Sequence, residues 1–215
     1  MRNFTAGVLV FFGGFAIMVL EIIGARFLAK DFGSSFYVWI SQIGVILIAL
    51  AAGYAVGGSL ADKFQRASFL SFLLIPAGVY TFLIPKFTPL LLEAIIMRHP
   101  LDQDIPMIWQ KLDPAIGTAL IFLLPCFVLA ILSPYTIRLA STKISHVGRI
   151  SGLVYAFSTF GSIAGVFVSG YILIDLFRIS VIISGTGAMI VILGFWSLLM
   201  DRHFSNPTSQ RESVS

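Results

Sequence analysis

One carboxylate in this chain stands where a carboxylate is costly. Glu21 ends an almost unbroken apolar run that starts at Phe4, and Arg26 follows it five residues later. In a helical span over about 4–29, Glu21 lies roughly 7 Å from the midplane at a rise of about 1.5 Å per residue. Insertion scales set the cost of a charged side chain at the centre of a bilayer at about 2.5–3.5 kcal/mol. The acid is therefore expected to face the interior of a helix bundle, paired or protonated. Arg26 is the nearest cation along the chain, but five residues turn a helix by about 140°, so the two do not share a face. Glu21 is left to meet another helix, a water-filled cavity or a cationic ligand, or to clamp helices together as a structural polar group. Arg26 and Lys30, four apart near the helix end, fit side chains that reach out to the headgroups.

Other chemistries lack their residues. The sequence contains no GxGxxG, GxSxG or HExxH pattern and no Cys/His cluster. His99, His146 and His203 fall in separate connections or tails. The single cysteine, Cys126, lies inside an apolar run and reads as a packing residue, which leaves no disulfide framework and no zinc spacing. No enzymatic activity, catalytic residue, cofactor or metal is expected.

The elements that must position Glu21 are membrane helices. Hydrophobic residues make up 58% of the 215 residues and charged ones 11%, with a mean hydropathy of +0.96. Soluble domains carry about 25% charged residues. Six apolar runs, about 4–29, 36–60, 68–85, 114–140, 150–174 and 179–200, each approach the roughly 20 residues that a crossing needs. The first is expected to stay as a helix, because it is too long for a signal core and lacks a small-x-small cleavage site. The predicted class is an all-α polytopic membrane protein, with residues 1–204 as one six-helix domain and 205–215 as a disordered tail.

The net charge of +4 does not mark a nucleic-acid binder, since the 14 Lys and Arg gather at the ends of the runs. Six crossings put both termini on one side. That side carries eight basic residues against six on the other, which favours cytoplasmic termini in a cell membrane. The long connection 86–113 reads as an interfacial segment: an amphipathic piece over 87–97, then a polar stretch with Pro100, Asp102, Asp104, Pro106 and Trp109. Asp113-Pro114 reads as the N-cap and first-turn proline that open the fourth span.

Packing signals sit in the second, fourth and fifth runs. Gly53-x3-Gly57 and Gly161-x3-Gly165, the latter continued by Ser169, let helix backbones approach closely. The second and fifth spans are thus expected to pack tightly, against each other or across a dimer. Pro125 and Pro134 in the fourth run each remove a backbone donor, which predicts a kink, beside a cavity or as a plain bend. An internal echo, Gly53-Tyr54 reaching Asp62 and Gly170-Tyr171 reaching Asp175, suggests two three-helix halves. Many transporters are built from such repeats.

Several strings together resemble a known family. Glu21-Ile22-Ile23-Gly24-Ala25-Arg26, Gly33-Ser34-Ser35-Phe36-Tyr37-Val38-Trp39, the stretch from Gly53 to Lys63 and the stretch from Gly148 to Gly165 run in the order found in the membrane domain of spermidine-synthase-like proteins, the fused major-facilitator/spermidine-synthase group. The resemblance covers about residues 10–175. The string Gly58-Ser59-Leu60-Ala61-Asp62-Lys63-Phe64 also resembles the loop between the second and third helices of major-facilitator transporters, which implies a gating role for Asp62 and Lys63. Aminopropyl transfer in that family belongs to a soluble domain beyond the membrane helices, so no catalytic residue carries over. The resemblance implies half of a major-facilitator fold handling a small cationic, polyamine-like metabolite. Glu21, Arg26, Tyr54 and Tyr155 are its candidate binding residues. The competing expectation is a non-catalytic membrane subunit that docks a soluble enzyme or a larger complex. Expected partners are the lipid bilayer and either further copies of the chain or another membrane or soluble protein.

Overall fold

Six helices follow one another: α1 (Arg2–Phe32), α2 (Phe36–Phe64), α3 (Ser68–Ile96), α4 (Met107–Ala140), α5 (Val147–Leu176) and α6 (Ile179–Phe204). Each contains a stretch long and apolar enough to cross a membrane, and the described residues include no strand. The chain is an all-α six-helix bundle. The computed structural model describes residues 2–99, 105–141 and 147–204, with side chains from 5 to 199. The expectations that fall on residues 100–104, 142–146 and 205–215 lie outside the described residues.

Helical backbone is the natural solution here because it satisfies its own donors and acceptors where no water can. The helices stop where the chain changes hand. Gly33 has φ +77° after α1, and Gln65 has φ +44° after α2. Gln65 returns its own backbone N–H to the Ala61 carbonyl at 3.3 Å, and its side-chain Nε2 to the Asp62 carbonyl at 3.1 Å. That closes the helix end although the residue is not glycine.

The main helix pairs are α1 with α5, α2 with α4, and α3 with α6, while α1 and α4 also meet each other. Exchanging the first three helices for the last three carries this set of pairs onto itself, so the two halves pair with twofold logic. α1 and α4 form the centre: in each, 61% of the most apolar window is buried, against 17% in α5.

Glycines set all three main seams. A Cβ at Gly53 would stand 2.6 Å from the Ala130 Cβ, and one at Gly57 would stand 3.0 Å from the Ile131 carbonyl oxygen. On the other side of the bundle, Gly161 lies against the Phe11 carbonyl, and a Cβ at Gly165 would be 2.6 Å from that of Phe15. The tight packing expected of the second and fifth spans is present, but not against each other. α2 packs on α4 and α5 on α1, because small-residue spacing fixes how closely a helix is approached and not by which neighbour. Gly78 and Gly187 serve the α3–α6 seam in the same way.

The connection 86–113 differs from its expectation. α3 continues to Ile96 through Pro76, Pro85 and Pro89, and α4 already starts at Met107. Thr88, Leu92 and Ile95 are buried, so the apolar face of 87–96 prolongs the packed side of α3 and does not lie flat at an interface. Asp113 and Pro114 are interior to the helix that opens α4, and the cap position falls to Pro106. Pro134 leaves the helix running to Ala140. Pro125 instead follows a π-helical turn, Ala119–Leu123. A proline ring presses on the residue four positions earlier and cannot bond its carbonyl, and the wider turn absorbs that conflict.

These seams predict a sharp contrast between glycines. Gly161→Val, which drives a side chain into the α1 backbone, should destabilise the protein by about 2 kcal/mol or more. Gly152→Val, where open space surrounds the Cβ position, should change stability by less than about 0.5 kcal/mol. Thermal unfolding of both variants in one detergent checks the difference.

Candidate functional site

Glu21 lies ~4 Å from the middle of the apolar stretch Thr5–Phe32, counting about 1.5 Å per residue. Its side chain is half-buried, and it makes no ion pair or hydrogen bond with any described residue. Gln42 of α2 packs on the same turn of α1 and is fully buried. Its Nε2 donates to the Leu20 carbonyl at 3.2 Å, while its Oε1 has no partner. Gly24 makes room for this amide: a Cβ there would meet Gln42 Nε2 and come within 2.9 Å of the Phe122 ring. The buried Cys126 thiol of α4 lies within electrostatic reach of Glu21. Three helices thus meet around the Leu20–Gly24 turn that carries this acid, and the α4 contribution comes from the π-turn and the Pro125 region. The Tyr80 hydroxyl of α3 donates to the Leu120 carbonyl of that turn at 2.5 Å. Backbone loosened inside an apolar span needs such a donor.

The four expected binding residues do not meet in one place. Arg26 is exposed and lies on another face of α1, as the 140° turn implied, without an ion pair among the described residues. Tyr54 of α2 and Tyr155 of α5 do come within electrostatic reach of each other, and both rings are exposed. They sit far from Glu21, however. Tyr54 is twelve residues from Gln42 along α2, roughly 18 Å.

Gln42 was not singled out from the sequence. Its signal was an amide inside a run that is otherwise apolar from Val38 to Ala52, broken only by Ser41 beside it. Buried amides nearly always find partners, so the free Oε1 marks this position more strongly than the residue type does.

Each end of the bundle carries a separate polar cluster. Asp62, expected to gate, accepts from Arg138 Nε at 2.7 Å, tying the end of α2 to the end of α4. Nearby, the Tyr135 hydroxyl donates to the Arg66 carbonyl at 2.9 Å. Lys63 has no carboxylate among the described residues and lies 5.4 Å from the Phe64 ring centroid. At the opposite end, the buried Asp113 accepts from Arg98 and meets His99 Nε2 at 2.7 Å. Arg98 stacks 4.1 Å over the Trp109 ring. This latch holds the end of α3 to the start of α4. The Asp-Pro pair therefore reads as a cap in sequence but works as an ion-pair anchor. No group of three or more metal-binding side chains occurs among the described residues.

Compared with family models, with curated proteins and with solved structures, the chain matches none.

The two ion pairs should weigh differently. Asp62 and Arg138 are largely exposed, so Asp62→Ala should cost no more than about 1 kcal/mol. Asp113→Ala removes a buried acceptor from two donors, which should cost about 1–3 kcal/mol. Denaturation of both variants under one condition tests the order; equal losses would contradict it.

Proposed function

We propose that this chain is a membrane-embedded bundle that handles a small cationic, polyamine-like metabolite, with Glu21 as the anion that receives it. One observation supports this most: a half-buried carboxylate near mid-membrane has no cation or donor among the described residues. Structural acids at such depth pair with a neighbour, and a clamp between helices would show its partner. The twofold pairing of the helices also supports a transporter-like reading, since repeat interfaces are where such proteins bind. Its setting would be the cell membrane, crossed six times, with both termini cytoplasmic. The resemblance to half of a major-facilitator fold makes a homodimer the working assembly.

A second reading rests on a different surface. α2 and α5 are the least buried of the six spans. The rings of Tyr54 and Tyr155 are exposed there, and Gly58, Gly148 and Gly152 have open space around them. That face suits a non-catalytic subunit docking another membrane protein, or carrying a soluble enzyme alongside. Purification in mild detergent would then retain a partner in fixed ratio, and recovery only as a homo-oligomer would count against it.

For the transport reading, Glu21→Gln should abolish polyamine uptake into proteoliposomes while the protein stays folded. Equal flux with wild type, variant and empty vesicles would refute it.

A further inference from the structure

We infer that the Glu21 site works by exchange: it carries a proton when empty and releases that proton when a cation binds. This rests on the cation-handling reading above and adds how the site is neutralised between loads.

The argument starts from charge. Near the middle of α1 the carboxylate must be balanced, because an unpaired charge at that depth is costly. Within the described residues nothing balances it. From α4, only Cys126 stands near, a buried thiol that brings no positive charge. α2 offers the Gln42 amide, which is neutral. α6 has no titratable residue between Ile179 and Leu199. α5 runs alongside α1 with Gly165 against Phe15 and Met18, which puts Tyr171 near the depth of Glu21; its ring is 73% exposed and stacked on Phe167. On α1 itself, Arg26 and Lys30 lie exposed beyond the next turn. A proton is the remaining way to neutralise the acid.

The second observation is independent of that charge argument. Gln42 Oε1 is fully buried, accepts nothing, and belongs to an amide bonded to the carbonyl of Leu20, the residue before Glu21. An orphaned acceptor beside an acid wants a donor. The O–H of a protonated Glu21 supplies one in the empty state, and the N–H groups of an ammonium supply one in the loaded state. Neither a bare carboxylate nor a purely apolar ligand does so. The ligand class is therefore a hydrogen-bond-donating cation, a primary ammonium in preference to a quaternary one.

The exchange balances in atoms and charge. The O–H bond of Glu21 breaks, its electron pair stays on the carboxylate oxygen, and the proton passes to water. The ammonium N–H then bonds to that oxygen. One positive charge arrives for one that leaves, so the site is neutral both empty and loaded.

Two measurements on the purified full chain in lipid nanodiscs test this. The first is the infrared difference spectrum of wild type minus Glu21→Gln at neutral pH without ligand. The carbonyl band of an un-ionised carboxylic acid is expected, and a carboxylate signature in its place overturns the proposal. The second adds butylammonium in weak buffer containing a pH indicator. About one proton should appear per cation bound, with less than a tenth of that signal in Glu21→Gln. Glu21→Asp, which keeps an acid, should retain the release and guards against a folding artefact. Butylammonium binding without proton release overturns the exchange and leaves the cation reading standing. Failure of butylammonium to bind a protein that shows the acid band defeats both. Tetramethylammonium binding as tightly as butylammonium would remove the donor requirement and with it the role of Gln42.

Discussion

Close contact between backbones at small residues is the constraint on which the rest of this bundle depends. Apolar side chains gain little by leaving lipid for one another, so helices associate where surfaces can approach. Here Gly53 and Gly57 rest on the Phe127–Ile131 turn of α4, and Gly161 and Gly165 rest on the Phe11–Phe15 turn of α1. In both seams two glycines four apart meet carbonyl groups four apart. The repetition places α1 and α4 at the centre, and only there can a polar side chain be held away from lipid on several sides. The position of Glu21 follows from those seams.

Several buried hydroxyls are answered within their own helices, while those of Thr88, Thr136 and Ser141 have no partner among the described residues. Thr81, Thr118 and Thr186 return their hydroxyls to carbonyls four residues back in their own helices. Tyr80 answers the π-turn that precedes Pro125. Gln42 spends its donor on Leu20 and keeps its acceptor free. Glu21 is an acid without a partner among the described residues, and the free amide oxygen belongs to a side chain bonded to the carbonyl of the preceding residue, Leu20.

The six spans were legible because hydropathy over twenty residues is a strong signal, and the depth of Glu21 followed from them. The end of α3 was not. Pro85, Lys86 and Pro89 look like punctuation, yet membrane helices tolerate proline, and the burial of Leu92 and Ile95 decides the matter from outside the segment. Asp113-Pro114 has the form of a cap, and only Arg98 and His99, brought in from the end of α3, reveal its other use. The glycine pairs announced tight packing without naming a partner. The separation of Arg26 from Glu21 was readable from helical geometry, but the meeting of Tyr54 with Tyr155 needs two distant helices placed in space. Gln42 stayed hidden because its meaning lies in an unmade bond.

α5 is held chiefly by α1, where Gly161 and Gly165 bring the two backbones together. Only 17% of its most apolar window is buried, so most of its circumference is left to lipid or to another protein. On that uncovered side Gly148, Gly152 and Gly170 have free space around them. Larger side chains there would enlarge the outer surface without loosening the grip on α1.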